Sequence, residues 1–120
     1  MAFEITAIRD FRAAHQLRLY DGTLEPLHEH TWQVRVTVGA AQLDAIGIVM
    51  DFHKLERLMD GVLGGWRDRN LNEVPPFKEA NPSAENVAWA MARSLNLPGE
   101  VRLVSVEVWE TASNSAVYRP

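Results

Sequence analysis

From Thr31 to Val38 the chain alternates without interruption. Trp32, Val34, Val36 and Val38 are apolar, while Thr31, Gln33, Arg35 and Thr37 are polar. A period of two puts the apolar set on one face of an extended chain and the polar set on the other. Such a segment belongs to a sheet with one covered and one open face, which favours antiparallel pairing. Val101 to Thr111 repeats the pattern. Val104, Val106 and Val108 form one face there, and Leu103, Ser105, Glu107 and Trp109 the other. Two weaker strands complete the set: Phe3 to Phe11, which mixes β-formers with small residues, and Ala116 to Arg119, after a turn at Asn114.

Cover for the apolar face is encoded between the strands. Asp51 follows Ile48-Val49-Met50 and can cap a helix, because its carboxylate accepts from the unpaired N–H groups of a first turn. Phe52, Leu55, Leu58 or Met59, and Val62 then recur at helical spacing until Gly64-Gly65 stops them. A second helix starts at Asn81-Pro82-Ser83, with Ser83 as N-cap. It carries Val87, Met91 and Leu95 on one face and ends before Pro98-Gly99. Asp21-Gly22 marks a turn, Glu25-Pro26 a break, and Trp66 to Ala80 is irregular around Pro75-Pro76. The order is β-β-α-α-β-β. It defines an α+β domain with a four-stranded antiparallel sheet and two helices on one face. At 120 residues and 47% hydrophobic content, residues 1–120 form one domain.

Charge and composition remove several functions. The net charge is −4 and the pI about 5.5, with basic residues scattered. Nucleic acid binding needs a positive face to displace counterions, so it is not expected. There is no cysteine, which excludes disulfides, thiolate metal sites and a cysteine nucleophile. Any metal must be held by nitrogen and oxygen. Met1 to Thr6 lacks the pattern of a signal peptide, and no apolar run approaches the roughly 20 residues that span a bilayer. A soluble cytoplasmic protein without membrane contact is the expectation.

The four histidines are His15, His28, His30 and His53. His28 and His30, at i and i+2, precede the strand from Thr31. In an extended chain they share a face, about 6.5 Å apart. Zinc used catalytically takes three protein ligands and keeps one position open. His15 is the third candidate if the first strand pairs beside the second. A His-x-His pair alone is a weak motif and also suits a polar surface. His53 falls in the first turn of a helix and is expected to be a solvated side chain.

Five segments resemble one family. Phe11-Arg12-Ala13-Ala14-His15 is similar to its Phe-x-Ala-Ala-His, and Leu27-His28-Glu29-His30-Thr31-Trp32 to its Leu-His-Gly-His-Asn-Tyr. Gly47-Ile48-Val49-Met50-Asp51-Phe52 resembles its Gly-Met-Val-Met-Asp-Phe. Asn81-Pro82-Ser83-Ala84-Glu85-Asn86 resembles its Asn-Pro-Thr-Ala-Glu-Asn, and Val108-Trp109-Glu110-Thr111 its Val-x-Glu-Thr. The family is that of the 6-pyruvoyltetrahydropterin and 6-carboxytetrahydropterin synthases, and the matches run in order along nearly the whole chain. The resemblance implies a tunnelling fold whose sheets close into a barrel in a trimer, with two trimers stacked, so a homo-oligomer is expected. It implies zinc on His15, His28 and His30, and a pterin anchored by Glu110. It also implies a lyase acting on dihydroneopterin triphosphate or a related pterin.

The sequence departs from the family at the proton-transfer groups. Leu24 stands where the family has its catalytic cysteine, and Arg67 and Asp68 stand where it has an Asp-His pair. Glu25 or Asp68 is the candidate replacement. Glu29 occupies the glycine position between the paired histidines. The alternative expectation is a diverged zinc- and pterin-binding protein without the usual synthase activity.

Overall fold

The computed structural model describes residues 2–120; Met1, the first residue of the N-terminal reading, lies outside them. The chain forms β1 (Phe3–His15), β2 (His28–Ala40), α1 (Phe52–Leu63), α2 (Ala84–Ser94), β3 (Arg102–Trp109) and β4 (Ser115–Tyr118). The four strands make one antiparallel sheet in the order β1-β2-β3-β4. This is the expected β-β-α-α-β-β order. Among the described residues, no helix is long and apolar enough to cross a membrane.

Alternation decides which face the helices cover. Phe11 pairs with Trp32, Ala7 with Val36, Val34 with Val108 and Val36 with Val106. All seven residues are buried. Leu55, Met59 and Leu63 of α1, and Val87, Ala88, Ala90 and Met91 of α2, are buried in the same core. The α1 stripe differs slightly from the sequence expectation. Leu63 is fully buried beyond Val62, which packs against the core only partly buried, and Phe52 at the helix start stays 56% exposed. Both predicted N-caps are made: Asp51 accepts from the His53 N–H, and Ser83 from the Asn86 N–H.

The first strand is longer than expected, running to His15 rather than Phe11. Arg12-Ala13-Ala14-His15 has little strand propensity of its own, but tertiary pairing overrides that weak preference. On one side it pairs with residues 28–31 of β2. On the other, the Asp68 N–H donates to the Arg12 carbonyl at 2.6 Å, and the Ala14 N–H to the Arg69 carbonyl at 2.9 Å. The irregular stretch after α1 therefore covers this end of the sheet edge. It continues through two short 3₁₀ turns at Leu71–Glu73 and Pro75–Phe77.

Candidate metal centre

The β1–β2 register runs unbroken from Phe3 opposite Ala40 to His15 opposite His28, with Ala13 opposite His30. Directly opposed residues share a face, so all three imidazoles emerge on the helix-covered side, at the end of the sheet. Ring centroids are 4.5 Å apart for His15 and His28, 5.3 Å for His15 and His30, and 4.8 Å for His28 and His30. Glu110 follows β3 two residues after the buried Val108 and joins them from the neighbouring strand. One ligand atom from each of His15, His28, His30 and Glu110 lies within 4.8 Å of the others.

Two backbone carbonyls orient the rings. His15 Nδ1 lies 2.7 Å from the Pro82 carbonyl, and His28 Nδ1 lies 2.8 Å from the Pro26 carbonyl. A carbonyl only accepts, so each Nδ1 carries a proton, and in the neutral ring the lone pair is then on Nε2. This is the tautomer that a metal-ligating histidine adopts when its second nitrogen is tied down. Buried Trp32 forms the floor beneath them, edge-on to His15 at 4.7 Å and to His30 at 5.9 Å. Its Nε1–H donates to the Ala13 carbonyl at 3.2 Å.

The residues fit a metal ion. His15 is 1% exposed, and its Nε2 has no hydrogen-bond partner. Glu110 Oε1 lies 2.7 Å from that atom, but off the axis of a hydrogen bond. A lone pair and a carboxylate oxygen at this separation repel unless a proton or a cation lies between them. Burial pushes His30 below the ordinary imidazole value. His15 and His28 add to that shift, while Glu110 and Glu25 oppose it. His30 is accordingly neutral at neutral pH and free to donate a lone pair. Three imidazoles and one carboxylate form a nitrogen–oxygen donor set of the kind zinc takes.

Side chains distant in sequence clasp the segment that follows His15. Asn72 accepts from the Gln16 N–H at 2.9 Å and donates to the Gln16 carbonyl at 2.8 Å. Asn81 does the same for Arg18, at 2.8 and 3.0 Å. Between them, Glu25 Oε1 accepts from the Leu17 N–H at 3.0 Å. That oxygen also lies 3.8 Å from His28 Nε2, so Glu25 stands at the edge of the cluster. Leu24 is 53% exposed and is not among the clustered residues.

Of the residues singled out in the sequence, the structure brings together His15, His28, His30 and Glu110, with Glu25 beside them. Asp68 lies outside this set. It is exposed, has a positive φ of 60°, and lines a separate depression with Gly65, Arg69 and Asn70. Glu29 is on the opposite face of the sheet, paired with Arg12 at 2.8 Å. His53 is exposed and contacts Glu56. Pro26, Pro82, Asn72 and Asn81 were not foreseen as supports. In the sequence, Asn81 to Asn86 reads as a helix start and as a family motif, and neither reading indicates a clasp on residues 16–18.

The family model described as 6-pyruvoyl tetrahydropterin synthase matches residues 4–120. The chain is 39% identical over 102 residues to the dihydroneopterin monophosphate aldolase of Pyrococcus furiosus, covering 83% of this chain and 82% of that protein. It is 34% identical over 112 residues to the 6-carboxy-5,6,7,8-tetrahydropterin synthase of Synechocystis, covering 90% and 86%. The solved 6-pyruvoyl tetrahydropterin synthase of Caenorhabditis elegans superposes with a TM-score of 0.83 at 27% identity, covering 98% of this chain and 95% of that one. An α+β chain with this sheet and this His/Glu cluster is a pterin-synthase-type fold. It belongs to the 6-pyruvoyl tetrahydropterin synthase family.

Proposed function

We propose that the protein is a zinc-dependent lyase that cleaves the side chain of a phosphorylated dihydroneopterin by breaking a carbon–carbon bond. The observation that carries this reading is the Glu25 carboxylate, 3.8 Å from His28 Nε2, in a chain that has no cysteine. An ordinary carboxylate is a weak base at neutral pH. Removing a proton from carbon, as the synthase reaction requires, is a poor match for it. Removing a proton from a hydroxyl group is a much easier task. The aldolase name carried by the 39% identical relative agrees with that chemistry.

His15, His28 and His30 would hold the ion through Nε2. When bound, zinc supplies a Lewis acid toward the oxygens of the substrate side chain. Glu110 anchors the heterocycle, its carboxylate accepting the pterin amino group and the adjacent ring N–H through two parallel bonds. Glu25 takes the proton from the hydroxyl on the second side-chain carbon. The bond between the first and second carbons then breaks, and its electron pair passes into the C6=N5 unit of the dihydropterin. The second carbon leaves as an aldehyde that carries the phosphate. Return of a proton to the first carbon gives a hydroxymethyl-dihydropterin. Asp68 is the other candidate for this proton transfer. Within one chain its distance from the cluster favours Glu25, and closure of the sheets into a homotrimeric barrel or a stack of two is part of the same reading.

The test is incubation of zinc-loaded protein with dihydroneopterin monophosphate and, separately, the triphosphate, followed by mass spectrometry. Hydroxymethyl-dihydropterin with a phosphorylated aldehyde is the expected pair. Release of inorganic triphosphate would point to the synthase reaction instead. Both substrates left unchanged beside an active family enzyme would sink the lyase. The alternative, a diverged protein that binds zinc and pterin without turnover, would then stand. It is favoured by Leu24, Arg67 and Asp68 at the family's proton-transfer positions.

A further inference from the structure

The Glu25 carboxylate stands on a hairpin that the core does not hold. Beyond β1 the chain turns back on itself. The Leu19 N–H donates to the Thr23 carbonyl at 2.7 Å, and Asp21 accepts from the Thr23 N–H and hydroxyl. None of Leu17, Leu19, Tyr20 and Leu24 belongs to the core, and the last three are exposed. Polar contacts with the rest of the chain therefore set where Glu25 stands. We infer that Arg18 is a positioning residue for the Glu25 base: its guanidinium fastens the hairpin to the Phe77 and Lys78 carbonyls and so holds the Leu17 N–H against the carboxylate. This rests on the reading of Glu25 as the base and adds the group that sets its place.

Three observations carry it. First, Glu25 is tied to Leu17 twice. Its own N–H donates to the Leu17 carbonyl at 3.0 Å, and its Oε1 accepts from the Leu17 N–H at 3.0 Å. The side chain thus fills the place that a backbone carbonyl takes in a regular antiparallel pair. Its second oxygen is left for the substrate hydroxyl. Second, the residue beside Leu17 supplies the anchor. Arg18 Nη2 donates to the Phe77 carbonyl at 3.1 Å and to the Lys78 carbonyl at 3.0 Å, which ties the hairpin to a segment 59 and 60 residues further on. A guanidinium suits this task, because its planar donors are fixed relative to one another. Third, charge pairing does not account for the arginine. Arg9, Arg12 and Arg35 face carboxylates, whereas Arg18 makes no ion pair among the described residues. Its Nη1 is enclosed without a hydrogen-bond partner. An enclosed donor left unpaired costs stability, so a neutral side chain would serve the fold better. Placement of Leu17 accounts for what stability does not.

A double-mutant cycle on turnover of the phosphorylated dihydroneopterin tests this. Arg18→Met keeps the stem and removes the donors. In the wild-type background it is expected to lower kcat roughly 10–100-fold, the cost of a base displaced by up to about 1 Å, with KM and zinc content unchanged. In Glu25→Gln protein, which has no base left to place, the same change is expected to cost nothing further. An equal loss in both backgrounds, or an unchanged kcat, would overturn the inference and leave the base reading standing. Full turnover by Glu25→Gln, or none by the wild type, would instead overturn the base reading, and the inference with it. Circular dichroism and zinc content check each protein. If Arg18→Met does not fold, Arg18→Gln, which keeps one amide donor group, takes its place in the cycle. Loss of fold or of zinc in both variants would make Arg18 a support of the whole domain and overturn its assignment to Glu25.

Discussion

Asn81→Ala is the sharpest probe of how the chain builds this centre. The Asn81 amide accepts from the Arg18 N–H at 2.8 Å and donates to the Arg18 carbonyl at 3.0 Å. It thereby acts as a one-residue strand partner for a segment 63 residues away. Each bond contributes about 1 kcal/mol net, so removing both costs about 2 kcal/mol. The Arg18 groups are only partly buried, and water replaces some of the loss, which keeps the figure from growing. For a domain of this length, about 2 kcal/mol lowers the melting temperature by roughly 8 °C. Urea denaturation of the metal-free protein, at fixed protein concentration, measures the first quantity. A second readout separates a local clasp from one that serves the metal. Asn81 precedes Pro82, whose carbonyl holds His15 Nδ1. Loosening that carbonyl should weaken zinc by roughly tenfold or more, as losses of such orienting partners do. Stability within about 0.5 kcal/mol of wild type would refute the hydrogen-bond accounting. Lost stability with unchanged zinc affinity would refute the link from Asn81 through Pro82 to His15.

Three further outcomes follow from the same geometry. Glu25→Gln should lower turnover by roughly 10²–10⁴-fold, the usual worth of a general base, with zinc content unchanged, while Asp68→Asn keeps most activity; the reverse ranking would transfer the base to Asp68. Trp32→Phe removes the Nε1 bond to Ala13 and part of a fully buried ring stacked on Phe11, and should cost about 2 kcal/mol in urea denaturation. In the metal-free protein His30 has a folded-state pKa below its ordinary 6.5, so the unfolded chain binds the proton more readily. Stability should fall as pH drops below about 6.5 and level off below the depressed folded value, and His30→Asn should flatten that slope in pH-dependent urea titrations.

Much of the fold could be read because the strongest patterns are local. Val34, Val36 and Val38 on β2 and Val106 and Val108 on β3 needed only their own alternation to show the covered face, whereas the register shift between Thr37 and Val38 sets Leu103, expected on the open face, opposite Val38 and against the core in place of Val104. Asp51 and Ser83 showed the helix starts through cap chemistry. The last four residues of β1 could not be read in this way. Ala13 and Ala14 carry no strand signal, and their extended form comes from pairing with β2 and with residues 68–70. The site divides along the same line. His28 and His30 announce themselves by spacing, and His15 follows once β1 lies beside β2. The Asn72 and Asn81 clasps join positions 56 and 63 residues apart, and no periodicity encodes such a contact.

The dependence of the centre on register explains why core and site cannot be separated. His15 faces His28 only because Phe11 faces Trp32 and Ala7 faces Val36 in the same unbroken ladder. A slip of one residue between β1 and β2 would turn one strand's entire apolar set outward, and that strand's metal ligands with it. The register is therefore enforced by residues far from the ion, at a cost of many buried side chains for any slip. The one irregularity, the shift between Thr37 and Val38, lies at the far end of β2 and affects its pairing with β3 rather than β1. Glu110 reaches the histidines from β3 on the near side of that shift, where Gln33 faces Trp109 and Val34 faces Val108. Three strands thus deliver four ligand atoms to one point through backbone pairing.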